Sequence, residues 1–163
     1  MGMAACFAAI DSNTAARLRS NPEEVEGYLF PDDGDGEPDN YADVDKAWHG
    51  IHYLLNGSAD GGDSPLSWAV MGGAEVGEDI GYGPARILTP EQVKAISDAL
   101  PSEDAFKASY APEAMKAAQI YPDVIWLRDG DEALDYLVEN YKVMVEFYRS
   151  AASRGDGAIL WLC

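Results

Sequence analysis

The sequence predicts an α+β fold in which helices are in the majority and pack against a small mixed sheet. Three observations lead to this class. The segments at the two ends of the chain are apolar throughout, as expected for strands covered on both faces, so the N- and C-terminal strands should lie near the middle of the sheet. Segments with helical periodicity outnumber the strand-like ones. The length of 163 residues and the 47% share of hydrophobic residues suit a single domain over residues 1–163 with its own core.

The first elements are a strand and two helices. The apolar run over residues 2–10 predicts the strand, and Asp11 or Ser12 can cap the short helix that follows it. Asn21-Pro22-Glu23-Glu24 predicts the start of the second helix. Asparagine is a good cap, proline suits the first turn, and glutamates are favourable at the positive end of a helix.

The stretch from Pro31 to Asn40 has the composition of an exposed, solvated loop. Its closely spaced acidic residues suggest a calcium site of the EF-hand type. With Gly36 at the sixth position of that pattern, Pro31 and Ala42 occupy the first and twelfth positions, where carboxylates are required. The pattern therefore fails, and a solvated loop is the preferred interpretation over a calcium site of another type.

The segment from residue 45 to residue 57 is predicted to be a helix with one apolar face. Asp43 can cap its start, and Gly57 can end it in the left-handed conformation. At ~100° per residue the apolar stripe has four members: Val44, Trp48, Ile51 and Leu55. His49 falls on the polar side and His52 at the edge of the core, so this helix carries both histidines of the protein.

The second half of the chain is predicted to be mostly helical. Residues 74–84 form a glycine-rich acidic loop that leads into a strand over residues 85–88. Thr89-Pro90-Glu91-Gln92 is a capping box for a helix that stops before Pro101. The remaining predicted elements are short helices over residues 64–69, 102–109 and 112–118, a connection over 120–127, a long helix over 131–153 capped by Asp129 and ended by Gly155, and a strand over 158–163.

The charge of the chain is strongly negative and uneven. The net charge is −18, and residues 20–85 hold 15 acidic side chains against Lys46 as their one basic side chain. Such a surface disfavours binding to nucleic acid and to anionic membranes, and it favours a basic protein partner. No apolar run approaches the ~18 residues of a membrane span. These features predict a cytoplasmic protein that is a monomer or a weak homodimer.

Two groups of side chains are open to a chemical interpretation. Asp45, His49 and His52 share a helix flank and could bind a metal or transfer protons, but they lack the spacing of a metalloprotease motif. We therefore assign no metal site and no cofactor, and keep His52 as the candidate catalytic residue. The second group is Tyr82 and Arg86 in the glycine-containing segment over residues 81–86. Arg86 could bind a carboxylate or phosphate there, but it is expected to pair with Glu78 or Asp79.

The two cysteines lie near opposite ends of the sequence. Cys6 and Cys163 would be close only if the terminal strands are neighbours, and in a cytoplasmic protein they are expected to be reduced thiols. The pair alone supplies too few ligands for a metal site. Nucleophile motifs such as Gly-x-Ser-x-Gly are absent from the sequence.

Five stretches, in an order that matches over nearly the full chain, together resemble the YfbM-like family of small bacterial proteins, the domain of unknown function 1877. They are Met1-Gly2-Met3 with Phe7, Asp45-Lys46-x-Trp48-x-x-x-His52-x-x-Leu55-x-Gly57, Pro65-Leu66-x-x-Ala69-Val70-x-Gly72, Gly81-Tyr82-Gly83-Pro84-Ala85-Arg86, and Ile120-Tyr121-Pro122. The resemblance implies a cytoplasmic single-domain α+β protein without an assigned activity. Neither His49 nor the acidic loop over residues 32–39 belongs to the pattern.

Two functions are compatible with the sequence. The charge and the missing catalytic motifs favour a non-enzymatic, acidic interaction or immunity-type module for a basic protein. The alternative is an enzyme or small-ligand-binding protein with a cleft beside the helix that carries Trp48 and His52. The candidate ligand- or partner-binding residues are Asp45, Lys46, Trp48, Tyr82 and Arg86.

Overall fold

The computed structural model of the protein describes residues 2–32 and 36–163. Met1 and residues 33–35, the middle of the predicted exposed loop, lie outside the described residues. The described chain contains a five-stranded sheet in the order β2-β1-β5-β4-β3. Its strands are β1 (Ala5–Ile10), β2 (Tyr41–Asp43), β3 (Ala74–Val76), β4 (Ala85–Leu88) and β5 (Gly157–Leu162).

The sheet confirms the predicted α+β class and the central place of the terminal strands. β1 and β5 pair along their whole lengths, with Phe7 opposite Leu160 and Ile10 opposite Gly157. All four strand pairings are antiparallel, so the sheet is not the mixed sheet that the sequence suggested.

Helices form the larger share of the described residues. Their bounds are α1 (Ser12–Ser20), α2 (Val25–Leu29), α3 (Trp48–Asn56), α4 (Pro65–Met71), α5 (Pro90–Ala99), α6 (Glu103–Ala108), α7 (Pro112–Ala117), α8 (Ile125–Asp129) and α9 (Asp131–Arg154). Single 3-10 turns over Pro22–Glu24 and Asp45–Ala47 precede α2 and α3. Asp11 caps α1 by accepting from the Thr14 amide, and Thr89 and Gln92 complete the predicted capping box of α5.

The two faces of the sheet are covered by two hydrophobic cores. Alternate residues of a strand point to opposite faces, so Phe7 and Leu160 face the larger core with the long helix α9 and with α3, α4 and α5. Cys6 and Trp161 face a smaller core that is closed by α1, α2 and residues 76–80. Burial on both faces explains why β1 and β5 are apolar at every position.

The structure corrects four local predictions. β3 is a strand within a stretch that was predicted to be a loop, and α8 lies in what was predicted to be a connection, whereas β2 covers residues for which no strand or loop was predicted. Asp129 does not cap α9; it ends α8 and pairs with Arg128, whereas Gly130 stands at the cap position. α3 begins at Trp48 rather than near Asp43, since the Asp43 side chain instead accepts from the amide of Asp45 in the preceding turn.

Among the described residues, no helix combines the length and the apolar character needed to cross a bilayer.

Candidate functional site

The start of α3 joins three stretches of chain that are far apart in sequence. The Trp48 indole N–H donates to the carbonyl of Met3 at 2.8 Å, and its ring stacks on His49 and on Tyr121 with centroid separations of 4.9 and 5.8 Å. The amide of Met3 in turn donates to the Tyr121 hydroxyl at 2.9 Å. Trp48, one of the candidate residues, therefore anchors the N-terminal segment; only 7% of its surface is exposed.

Asp45 and Lys46 line a cleft of about 340 Å³ beside this anchor. The Tyr136 hydroxyl donates to Asp45 Oδ2 at 2.7 Å and accepts from the Lys46 amide at 3.1 Å. Burial, with a further contribution from the Asp45 carboxylate, raises the pKa of Tyr136 and keeps its hydroxyl protonated as the donor. The other lining residues are Pro122, Ile125, Asp129, Glu132 and Ala133.

His49 is not the solvated histidine that the sequence predicted. It is half-buried, and both ring nitrogens have protein partners: Nδ1 accepts from the Tyr121 amide at 2.9 Å, and Nε2 lies 2.9 Å from the carbonyl of Ala59. An amide can only donate, so Nδ1 is the bare nitrogen and Nε2 carries the hydrogen that it gives to Ala59. The sequence of the helix could not predict the burial of His49, because both of its hydrogen-bond partners come from other segments of the chain.

His52, the candidate catalytic residue, is completely buried. Its Nε2 lies 2.7 Å from the Asp60 carbonyl, and its Nδ1 faces the amide nitrogen of Asn56 at 3.4 Å. Asn56 also donates to the carbonyl of Leu66 and accepts from Ser67. These contacts bind α3 to the following loop and to α4. They give His52 a role in holding the fold and leave its ring nitrogens occupied by protein groups.

The burial of His52 has a measurable consequence for the pH dependence of stability. Burial lowers the pKa of His52. The unfolded chain therefore binds a proton more readily than the folded one, and this contribution to stability is complete above the ordinary histidine pKa near 6.5. It declines as the pH falls from that value towards the lower pKa of the folded state, by at most ~1.4 kcal/mol per pH unit.

We expect the free energy of unfolding of the native protein to fall more steeply between about pH 6.5 and 5 than that of His52→Gln, which cannot titrate there. Urea denaturation at each pH measures both curves. Parallel curves would show that His52 is not held as the structure describes.

Tyr82 and Arg86 do not meet at one site with His52. Arg86 is half-buried and donates to the carbonyls of Gly72 at 2.8 Å and Val70 at 3.1 Å, at the end of α4. The expected pairing of Arg86 with Glu78 or Asp79 is wrong, because its guanidinium nitrogens donate to these two carbonyls instead. Burial lowers the pKa of Arg86. Tyr82 is 45% exposed on the loop between β3 and β4.

The most strongly charged concave surface among the clefts we compared is a groove of about 600 Å³ on the opposite side of the sheet. We call it the acidic groove. One wall is the turn and first residues of α2, and the other is the loop after β3. Its lining residues are Pro22, Glu23, Val25, Glu26, Gly77, Glu78, Asp79 and Ile80. Four of these eight are carboxylates and none is basic, which gives the groove a uniformly negative lining.

Gly77 brings the two walls of the acidic groove together. Its φ of +76° belongs to the left-handed region, and a Cβ there would lie 3.2 Å from both the Pro22 carbonyl and the Val25 Cβ. The loop behind it is fixed by Asp79, which accepts from the amides of Gly81 at 2.7 Å and Gly83 at 3.1 Å. These hydrogen bonds lower the pKa of Asp79, so its carboxylate is charged at neutral pH.

Glu23, Glu26 and Glu78 were not among the sequence-predicted binding residues. The signal that points to them is the excess of acidic residues over positions 20–85, which predicted an acidic surface but not its shape. The three carboxylates converge because α2 packs against the loop after β3, and this long-range contact has no local sequence signature.

Within residues 2–32 and 36–163, no group of three or more histidine, cysteine or carboxylate side chains is arranged to hold a metal ion. Asp45, His49 and His52 do not act together: Asp45 is bonded to Tyr136, while the two imidazoles face backbone carbonyls of residues 59 and 60.

Comparison with known proteins agrees with the fold described above. The family model described as a domain of unknown function, DUF1877, matches residues 1–161. The fold is similar to the crystal structure of YfbM, a protein of unknown function from Escherichia coli, with a TM-score of 0.73 and 21% sequence identity over 98% of this chain and 99% of that one. No curated protein matches the chain.

Proposed function

This chain belongs to the DUF1877 family, whose description assigns no activity, and we propose from its charge and shape that it is an acidic protein-interaction module. Its partner is a basic protein, and the acidic groove is the docking surface. The observation that carries this proposal is the convergence of Glu23, Glu26, Glu78 and Asp79 on one concave surface without a basic neighbour in its lining.

The groove has the electrostatic character that such a partner requires. Charges of one sign in a concave surface focus the field and attract a partner of the opposite sign over about a Debye length, ~10 Å at moderate salt. Its volume of about 600 Å³ is sufficient for lysine or arginine side chains from an extended segment or a loop. The flexible ammonium of lysine and the planar guanidinium of arginine can both pair with glutamate carboxylates there.

The biological role that fits best is that of an immunity-type protein in the bacterial cytoplasm, which neutralises a basic toxin or nuclease. The similarity to a protein from Escherichia coli supports the bacterial setting. The net charge of −18 supports rapid association with a cationic partner, because long-range attraction raises the rate of encounter more than the final affinity.

Binding should therefore depend steeply on salt. We expect the protein to capture a basic product of a neighbouring gene, with an association rate that falls at least tenfold between low salt and about 0.5 M salt. Titration of each adjacent gene product, followed by calorimetry and stopped-flow fluorescence at the two salt concentrations, measures this effect. The proposal fails if none of these products binds in a salt-dependent manner.

A second candidate function is small-ligand binding in the cleft that Asp45 and Lys46 line. The observation in its favour is that this cleft adjoins α3 and holds three carboxylates and one ammonium, which suits a small ligand with a cationic group. His52 would not touch such a ligand, since it lines neither this cleft nor the acidic groove. A thermal-shift screen with small amines, repeated on Asp45→Asn, separates this function from the docking of a protein in the acidic groove.

A further inference from the structure

The two cysteines of the protein meet at the end of the central strand pair. Cys6 lies within β1, and Cys163 directly follows β5. The amide and carbonyl of Cys163 exchange hydrogen bonds with those of Ala4, which continues the ladder by one pair. Cys6 and Cys163 are thus diagonal neighbours on the same face of the sheet, and their Sγ atoms lie 3.3 Å apart. Residues at opposite ends of the sequence therefore present a dithiol.

The surroundings of the two sulfurs differ. Cys163 is exposed, whereas Cys6 is 2% exposed and belongs to the smaller core. Burial raises the pKa of the Cys6 thiol, so Cys6 is the less reactive of the two. The Tyr41 hydroxyl lies 3.3 Å from Cys6 Sγ and 3.4 Å from Asp43 Oδ2, so the sulfur and the carboxylate compete for its one hydrogen.

Both cysteines line a cleft of about 340 Å³. Its lining includes Cys6, Cys163, Tyr41 and Trp161. The indole N–H of Trp161 is the single buried side-chain polar atom without a hydrogen-bond partner among the described residues. The cleft gives a small molecule access to Cys163 and room for a leaving group beside the buried thiol.

We propose that Cys6 and Cys163 form a reversible dithiol–disulfide couple that reacts with small organic disulfides. Cys163, as a thiolate, attacks one sulfur of the reagent; the reagent's S–S bond breaks, and the first small thiol leaves and takes a proton from water. The sulfur of Cys6 then attacks Sγ of Cys163. The mixed disulfide breaks, and the second small thiol leaves with the proton of Cys6. The dithiol is oxidised and one small disulfide is reduced to two thiols.

The geometry favours this internal disulfide over a stable adduct. The sulfurs must approach from 3.3 Å to about 2.05 Å, and rotation of the exposed Cys163 side chain can supply this movement. The disulfide would link β1 to the residue that follows β5, and so join the two central strands covalently.

The experiment treats the folded, reduced protein with hydroxyethyl disulfide, a neutral reagent that the acidic surface neither attracts nor repels. We expect a mass lower by two hydrogen atoms with no bound reagent, an unchanged monomer on a non-reducing gel, and full reversal by dithiothreitol. The oxidised protein should melt higher by roughly 5–15 °C, since the bridge restricts the unfolded chain.

Two matched variants assign the order of attack. Cys6→Ala should retain one reagent adduct on Cys163, because no second thiol displaces it, while Cys163→Ser should gain no adduct unless it is unfolded. The wild-type result decides the proposal even if a variant does not fold. A persistent adduct on wild-type Cys163, a disulfide-linked dimer, or two unreacted thiols would each overturn it.

Discussion

The triple variant Glu23→Gln, Glu26→Gln, Glu78→Gln is expected to bind a short oligolysine peptide about tenfold more weakly than the native protein at low salt. These three carboxylates are exposed and line the acidic groove, so each attracts a bound ammonium without a large desolvation cost. Asp79 is left in place because it accepts two amides of its own loop and supports the groove wall. Calorimetric titration at low and high salt measures the loss.

The chain offers a matched control for this variant. Glu91→Gln, Glu113→Gln, Glu139→Gln changes the net charge by the same three units at exposed positions on α5, α7 and α9. Glu91 and Glu113 lie in the first turns of their helices, as Glu26 does in α2. Their replacement therefore also matches the loss of a carboxylate that stabilises the positive end of a helix. Equal losses of affinity in the two triple variants would mean that net charge, and not the groove, attracts the peptide.

Replacement of Trp48 by alanine should have the largest effect on stability, about 3–5 kcal/mol, as for other buried tryptophans. The change removes a buried ring, its stacking on His49 and Tyr121, and the hydrogen bond to the Met3 carbonyl. The N-terminal segment should then exchange its amide hydrogens faster from Met3 to the start of β1. Urea denaturation and hydrogen exchange measure the two effects.

Trp48→Phe separates packing from hydrogen bonding at this position. It keeps an aromatic ring against Tyr121 but leaves the Met3 carbonyl without its donor, and we expect it to cost about 1–3 kcal/mol. The role assigned to Trp48 would be contradicted if Trp48→Ala lost less unfolding free energy than Trp48→Phe. It would also be contradicted if the hydrogen-exchange rate of the Met3 amide did not change in Trp48→Ala.

Elements with strong local signals could be predicted from the sequence. The capping box at Thr89 and Gln92 fixed the start of α5, and uninterrupted apolar residues identified β1 and β5 as central strands. β2 and β3 could not be found in this way, because each has only three residues and is a strand only through pairing with β1 or β4. Edge strands this short have no periodicity of their own.

The candidate site was predictable only in part. Trp48 was predicted to lie on the apolar stripe of its helix, and the structure shows its partners in Met3 and Tyr121. The burial of His49 and His52 was underestimated, because the carbonyls of residues 59 and 60 fold back over the helix and cover its polar flank. A helical projection contains only the helix, so it cannot include groups that a following loop brings back.

The acidic groove shows the same division between composition and shape. The negative charge of residues 20–85 can be read from the sequence. The convergence of four of these carboxylates in one groove depends on Gly77, which allows the loop after β3 to approach Val25. The proximity of Cys6 and Cys163 depended likewise on one topological fact, the pairing of β1 with β5.

Mapping of amide chemical shifts during titration with oligolysine, and then with a basic partner, locates the docking surface on the protein. We expect the largest perturbations at residues 23–26 and 77–80, the two walls of the acidic groove, and we expect them to disappear at high salt. Perturbations spread evenly over all exposed carboxylates, or centred on the cleft of Asp45, Asp129 and Glu132, would contradict this expectation.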